Sequence, residues 1–484
     1  MMLLAQNERN AGREGDSARQ SHVPSINEES GRKCSPPGQG LPTPPSNSRR
    51  IRTERLLLVI VLTLFYCLPV QAQVKRTCGR AKKDPNRHNI EDCLKEIAGI
   101  FDRKGLHPVL GSVVPGSGLG GGIGYKAEWK TGSDGDWQHQ FKAAALVTYR
   151  KYWKFDANWR INKLAGALTQ SELESESPVE KSRPKGNVYF QVKDMPRLDF
   201  FGLGPETQES GLAKFHYREI VAGADLAKPL SDRVNVGGAF EVIWPRLENI
   251  TDPTVRPVQQ VYTEPQAPGL NARPNYLHYV AFLGVHTRSQ PEVRRLDYRA
   301  FYHFYHDVSE HRYSFRRLEV RLFNVIPFGK IISDPQSSVL LKRSEIRLNG
   351  RLSLSYTNSG QRVPFYLQET LGGSNIWSED TLRGFRDYRF RDRDLILLQT
   401  EYLFRLNSPL ALSVFYDTGK VMPRLRDTDV RRLRHTVGAG LVAILPGQNK
   451  TVFRLYVAFG SGEGTHTLIG GGDIFGGSGD RLIR

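Results

Sequence analysis

From about residue 106 onward, apolar and polar side chains alternate with a period of two, which is the signature of a strand with one apolar and one polar face. Over residues 153–161 one face carries Trp153, Phe155, Ala157, Trp159 and Ile161, and the other carries Lys154, Asp156, Asn158 and Arg160. The same split separates Leu318, Val320 and Leu322 from Arg317, Glu319 and Arg321. It recurs with Ile346, Leu348, Leu352 and Leu354 against Arg343, Glu345, Arg347 and Arg351. A soluble sandwich alternates too, with its apolar face turned inward. Two features favour a barrel in a membrane. The polar faces are rows of mixed Arg and Glu, as in a wet lumen laced with ion pairs. The segments also reach the roughly nine to eleven residues that a tilted strand needs to cross a bilayer. Tyr298, Tyr302 and Phe304 suit an interfacial aromatic girdle.

The alternation predicts sixteen strands, near residues 106–113, 117–130, 137–149, 152–161, 187–201, 213–229, 233–247, 275–288, 293–306, 314–328, 341–356, 395–406, 410–418, 436–445, 451–460 and 466–475. The connections 248–274, 357–394 and 419–435 are long and fall on one end. Those at 406–409 and 446–450 are short and fall on the other. Segment 162–185 is long and polar, yet the count places it on the short-turn end. The fold class is all-β: a transmembrane antiparallel β-barrel of 16 strands, with a short N-terminal disulfide-tied helix.

Composition agrees. The 484 residues include 46 Gly, 10% aromatics and only four Met and four Cys, which is too aromatic for a disordered chain and lacks the runs of a helical membrane bundle. Residues 1–48 read as a disordered tail. Residues 49–72 read as a signal peptide: basic Arg49, Arg50 and Arg52, an apolar run from Leu56 to Phe65, and Val70-Gln71-Ala72 as a cleavage site. This favours a cleaved signal over a membrane anchor. Tyr66 is too bulky to precede a lipoprotein cysteine at Cys67. So late a signal suits a start codon placed too far upstream.

The full chain carries 68 Lys and Arg against 50 Asp and Glu, a net charge of +18. Beyond residue 72 the balance is 59 basic against 44 acidic residues, which points to anionic lipid rather than nucleic acid. Cys78 and Cys93 are the cysteines left after the signal, and in an exported chain they favour a disulfide over two free thiols. Residues 73–105 form a short periplasmic segment. In it Ile90, Cys93, Leu94, Ile97 and Phe101 recur at helical spacing, Asn89 can cap, and Gly105 can end the helix.

Enzyme signals are weak. Gly116-Ser117-Gly118-Leu119-Gly120-Gly121 satisfies a G-x-G-x-x-G pattern but is followed by an alternating strand instead of a helix. His303, His306 and His311 have metal-like spacing without a supporting carboxylate pattern. No G-x-S-x-G elbow or H-E-x-x-H stands in the chain. No catalytic activity, metal or cofactor is expected.

One constellation is more specific. Leu371-Gly372-Gly373 and Thr381-Leu382-Arg383-Gly384-Phe385 precede Glu401 on one strand and Phe415-Tyr416-Asp417-Thr418-Gly419 on the next. Residues 106–475, with this order, resemble the BamA/TamA-type outer-membrane assembly superfamily, also called the bacterial surface antigen family. The strand end Phe200-Phe201-Gly202-Leu203-Gly204 is similar to it as well. The resemblance implies that Arg383, Gly384 and Phe385 fold back into the barrel, where Arg383 meets Glu401 and Asp417 near Gly419. Strand parity agrees, because Glu401 shares a face with Gln399 and Arg405. Family members that insert or secrete proteins carry periplasmic POTRA domains, for which residues 73–105 are too few. The chain thus looks like a barrel-only branch, and residues 476–484 run on as a C-terminal extension. The implied location is the outer membrane. The implied partners are outer-membrane lipid and lipopolysaccharide, a polypeptide or lipid substrate, and the barrel assembly machinery that inserts the chain itself. The alternative is a passive pore or structural barrel.

Overall fold

Sixteen antiparallel strands hydrogen-bond in sequence order into one sheet, and two short strands pair apart from it. The large sheet comprises β1 (Gly105–Gly111), β2 (Gly120–Thr131), β3 (Trp137–Thr148), β4 (Trp153–Lys163), β5 (Lys185–Phe200), β6 (Ala213–Ser231), β7 (Val234–Glu248), β8 (Tyr276–His286), β9 (Arg295–Asp307), β10 (Phe315–Ser333), β11 (Leu340–Tyr356), β14 (Asp394–Arg405), β15 (Leu410–Met422), β16 (Arg434–Leu445), β17 (Lys450–Gly460) and β18 (Gly464–Gly471). The small pair is β12 (Glu369–Leu371) with β13 (Phe390–Asp392). This computed structural model describes residues 99–101, 103–132, 137–163, 184–250, 252–287, 295–333, 340–406, 410–427, 429, 432–445 and 450–471. The tail, the signal, Cys78, Cys93, most of the expected helix and the C-terminal extension lie outside the described residues.

The expected strands are present to within a few residues at each end. The hairpin of β12 and β13 was not expected, since three residues are too few to show a period. No helix among the described residues is long and apolar enough to cross a membrane.

The two faces are opposite in character. Along β15, Leu412, Val414 and Tyr416 are 42%, 53% and 45% exposed, while Ala411, Ser413, Phe415 and Asp417 between them are buried. Along β4, Trp153, Phe155 and Trp159 are exposed, while Lys154, Asp156 and Asn158 are buried. Apolar outside and polar inside is the inverse of a soluble protein. It is stable only where lipid covers the outer face. The inward row Glu345, Arg351 and Gln399 is buried as the alternation requires. Arg343 departs from it: near the strand end it is exposed and stacks on the outward Phe404, 5.0 Å from the ring centroid.

Contacts that reach connecting segments far along the strand order show that the wall curves around its own loops. Arg434, opening β16, donates to Pro205 O and Glu206 Oε2 beyond β5, each at 2.9 Å. The Tyr388 hydroxyl, before β14, donates to Pro115 O beyond β1 at 3.1 Å. Among the described residues no ladder joins β1 to β18.

Loop length distinguishes the two ends. The connections after β7, β11 and β15 are long and share one end. The turn between β6 and β7 and the connections after β14 and β16 are short and share the other, while most of the expected long segment 162–185 lies outside the described residues. Aromatic packing closes the long-loop end. Phe365 lies 4.9 Å from Phe200 and 5.0 Å from Phe215, and Tyr366 lies 5.3 Å from Tyr217, centroid to centroid.

Candidate functional site

The segment between β11 and β14 turns inward and is held by the wall on several sides. Its centre is Arg383, 4% exposed. Inward positions on β14 and β15 present acids to it, because Gln399 pairs with Asp417 and Glu401 with Phe415 in that ladder. Arg383 Nε donates to Asp417 Oδ2 at 2.9 Å and Nη2 to Oδ1 at 2.7 Å. The planar fork thus matches the carboxylate bidentately. The Arg383 backbone N–H adds a third bond to Asp417 Oδ2 at 3.2 Å. Glu401 stands 3.5 Å from Nη1 and also accepts from the hydroxyls of Tyr456, at 3.1 Å, and Ser413. The guanidinium carbon lies over the Phe415 ring, 3.5 Å from its centroid, a cation–π contact shielded from water.

Gly384 is where the loop touches the wall. A Cβ there would lie 2.6 Å from Gly460 N and 2.7 Å from Phe459 C, and a Cβ on Gly460 would lie 2.2 Å from Gly384 O. Two glycines therefore meet backbone to backbone. Phe385 is buried with Leu371, Leu382, Phe390, Leu395, Leu397 and Val421. Gly419 pairs with Leu397 and lies against Leu371, outside direct contact with the Arg383 fork.

Further anchors were not singled out from sequence. Glu379 accepts from Arg321 at 2.7 Å and Arg351 at 2.9 Å, and Glu369 from Arg351 at 3.0 Å. Asp380 pairs with Arg454 on β17 at 2.7 Å. Arg389 donates to Thr207 Oγ1 at 2.8 Å and O at 2.7 Å, and pairs with Glu463. Within the sequence the signal for these was indirect: inward arginines on β10 and β11 outnumber the acids beside them, so the lumen needed acids from elsewhere.

Beneath the tip lies a cavity of ≈ 330 Å³ lined by both signs of charge, including Arg321, Arg347, Arg454, Glu379 and Glu401. Outside the membrane-spanning strands, at the loop base, burial pushes the Asp387 carboxyl up to about 6, with Asp199 and Asp380 adding repulsion.

The enzyme-like signals resolve into structure. Gly116 and Gly118 adopt positive φ in the turn before β2, and Ser117 Oγ accepts from the Val113 and Val114 N–H groups. His303 faces the lumen, with its Nδ1 3.1 Å from Nε2 of His278, while His306 is exposed and His311 sits in the turn at φ 58°. The three do not converge. Among the described residues no group of His, Cys, Asp and Glu could hold a metal.

Solved structures similar to this chain include one of BamA and two of CdiB. BamA from Haemophilus ducreyi lacking POTRA domains 1-3 shows 13% identity and a TM-score of 0.47, over 76% of this chain and 70% of that one. CdiB from Acinetobacter baumannii shows 12% identity and a TM-score of 0.44, over 75% and 58%. CdiB from Escherichia coli shows 10% and 0.45, over 75% and 61%, so the chain spans about three fifths of the CdiB chains. No family model matches, and no curated protein does.

Proposed function

We propose that the chain is an outer-membrane barrel of the BamA/TamA type that helps insert or translocate polypeptide or lipid, with its long-loop end facing outward. The observation that carries this is the clamp of Arg383 on Asp417 and Glu401 by a loop folded into the lumen. A loop so anchored narrows the lumen, and aromatic packing closes its outer end. Both features weigh against an open diffusion pore. β1 carries Pro108, which cannot donate to a ladder, and β18 ends in Gly470 and Gly471. A wall weak between these strands can part toward lipid and admit a substrate strand. Its partners would be a nascent barrel or lipid and the surrounding membrane, and its work transport rather than bond chemistry.

The test is reconstitution of the full chain in vesicles, followed by the folding rate of a small urea-unfolded outer-membrane barrel added outside. Acceleration over empty vesicles supports the proposal. No acceleration, together with free passage of small sugars in a swelling assay, favours the passive pore.

A further inference from the structure

Arg321, Arg351, Arg383 and Arg454 each reach a carboxylate in the loop clamp, but Arg316 does not. It is the second residue of β10 and faces outward, opposite Phe304 on β9 and Tyr356 on β11. Its inward neighbour Arg317 pairs with Glu369 at 3.1 Å. Arg316 is exposed, stacks on Phe304 at 5.8 Å from the ring centroid, and forms no ion pair among the described residues. The nearby acids are engaged elsewhere. Asp307 is fully buried and accepts from the backbone N–H groups of Ser309, Glu310 and Tyr313, and Glu310 accepts from Arg273 N.

Around Arg316 lies a cleft of ≈ 240 Å³ at the long-loop end, lined also by Phe304, His306, His311, Tyr356 and Gln361. Two more exposed cations follow lining residues in the chain, Arg312 after His311 and Arg362 after Gln361, and a backbone bond from Arg362 N to Arg312 O at 3.0 Å joins them. Below the cleft on the outer wall Tyr279 and Tyr302 are 44% and 46% exposed, and the Tyr279 ring lies 6.3 Å from Phe304. Cations at the strand end above an aromatic, apolar wall match an amphiphile with an anionic head and acyl tails. An arginine at a membrane surface suits a phosphate, which it can bind with both arms of its fork.

We propose that this cleft is a binding site for the phosphate headgroup of an outer-leaflet lipid, with Arg316 as the bidentate ligand, Arg312 and Arg362 adding charge, and the acyl chains lying along Tyr279 and Tyr302. The occupant is a phosphorylated lipid rather than a free anion, because the apolar wall continues directly from the cationic mouth.

The test uses the full chain in non-ionic detergent micelles, titrated with bisphosphorylated lipid A and with the same lipid stripped of phosphate. Arg316→Gln, Arg362→Gln and Arg316→Lys are compared with wild type, their folding checked by heat-modifiable migration on gels. Expected are about tenfold tighter binding of the phosphorylated lipid by wild type, about tenfold loss in Arg316→Gln, smaller losses in Arg362→Gln and Arg316→Lys, and no displacement by millimolar inorganic phosphate. Equal binding of both lipids, or unchanged binding in both glutamine variants, overturns the site. Full displacement by inorganic phosphate would make it a free-anion site. Displacement by poly-glutamate with no preference between the lipids would make it a site for acidic polypeptide. Either result overturns the lipid assignment.

Discussion

Arg383 joins the loop to two carboxylates of the wall, Asp417 and Glu401. Asp417 is fully buried and Glu401 is partly so, and removing the guanidinium strands the buried acid, at a cost of about 3–5 kcal/mol for a broken buried pair. Arg383→Ala should therefore lower stability by about that much in urea titrations of the folded barrel. Arg383→Lys should recover only part, since an ammonium cannot bridge both oxygens of Asp417. A loss below about 1 kcal/mol in Arg383→Ala would place the pair in the weak, solvated class. Asp387 offers a pH test. Its folded pKa, about 6, lies above the usual carboxylate value, so the folded loop binds a proton more tightly than the unfolded one does. Loop docking should thus weaken as pH rises from about 4 through 6. Asp387→Asn should remove that dependence and protect the loop from protease at pH 7. Protease resistance that is flat with pH in the wild type would contradict it. At this scale strand parity put Glu401 and Asp417 on the inward face, whereas the place of Arg383 beside them came from the family resemblance alone. Glu379, Asp380 and Arg389 were not legible, because an irregular loop has no period. Arg389 meets Thr207, 182 residues away in sequence.

The strands were legible because lipid outside and ion pairs inside impose the strictest period-two pattern a chain can carry. Trp153 to Ile161 shows it residue by residue. The path of the loop was not. It depends on contacts such as Gly384 against Gly460, which no local pattern encodes. That contact makes a further prediction. Gly384→Ala and Gly460→Ala should each dislodge the tip, since each new methyl group meets backbone, and the double variant should cost little more than the worse single one. Protection of the 369–392 segment in hydrogen exchange is the readout. Fully additive losses would mean that the two glycines act separately. The β12 and β13 hairpin escaped sequence reading for the opposite reason, being too short to alternate, and is set by the pairing of Glu369 with Asp392 and Leu371 with Phe390.

For the whole molecule, strand number and the side of each connection could be read from the chain, whereas closure could not. Closure is a property of the wall wrapped around its loops. The weak place should be the junction of β1 and β18. Cysteine pairs engineered across it should crosslink less completely than pairs across the hairpin of β14 and β15, and equal, complete crosslinking would count against lateral opening. The most direct measurement of the central claim, a loop clamped inside the lumen, is single-channel conductance in planar bilayers. Wild type should conduct little. Arg383→Glu should open the lumen and expose the loop to protease, and adding Asp417→Arg should restore part of the block. If wild type and Arg383→Glu conduct alike and resist protease alike, the loop is not held in the lumen by Arg383.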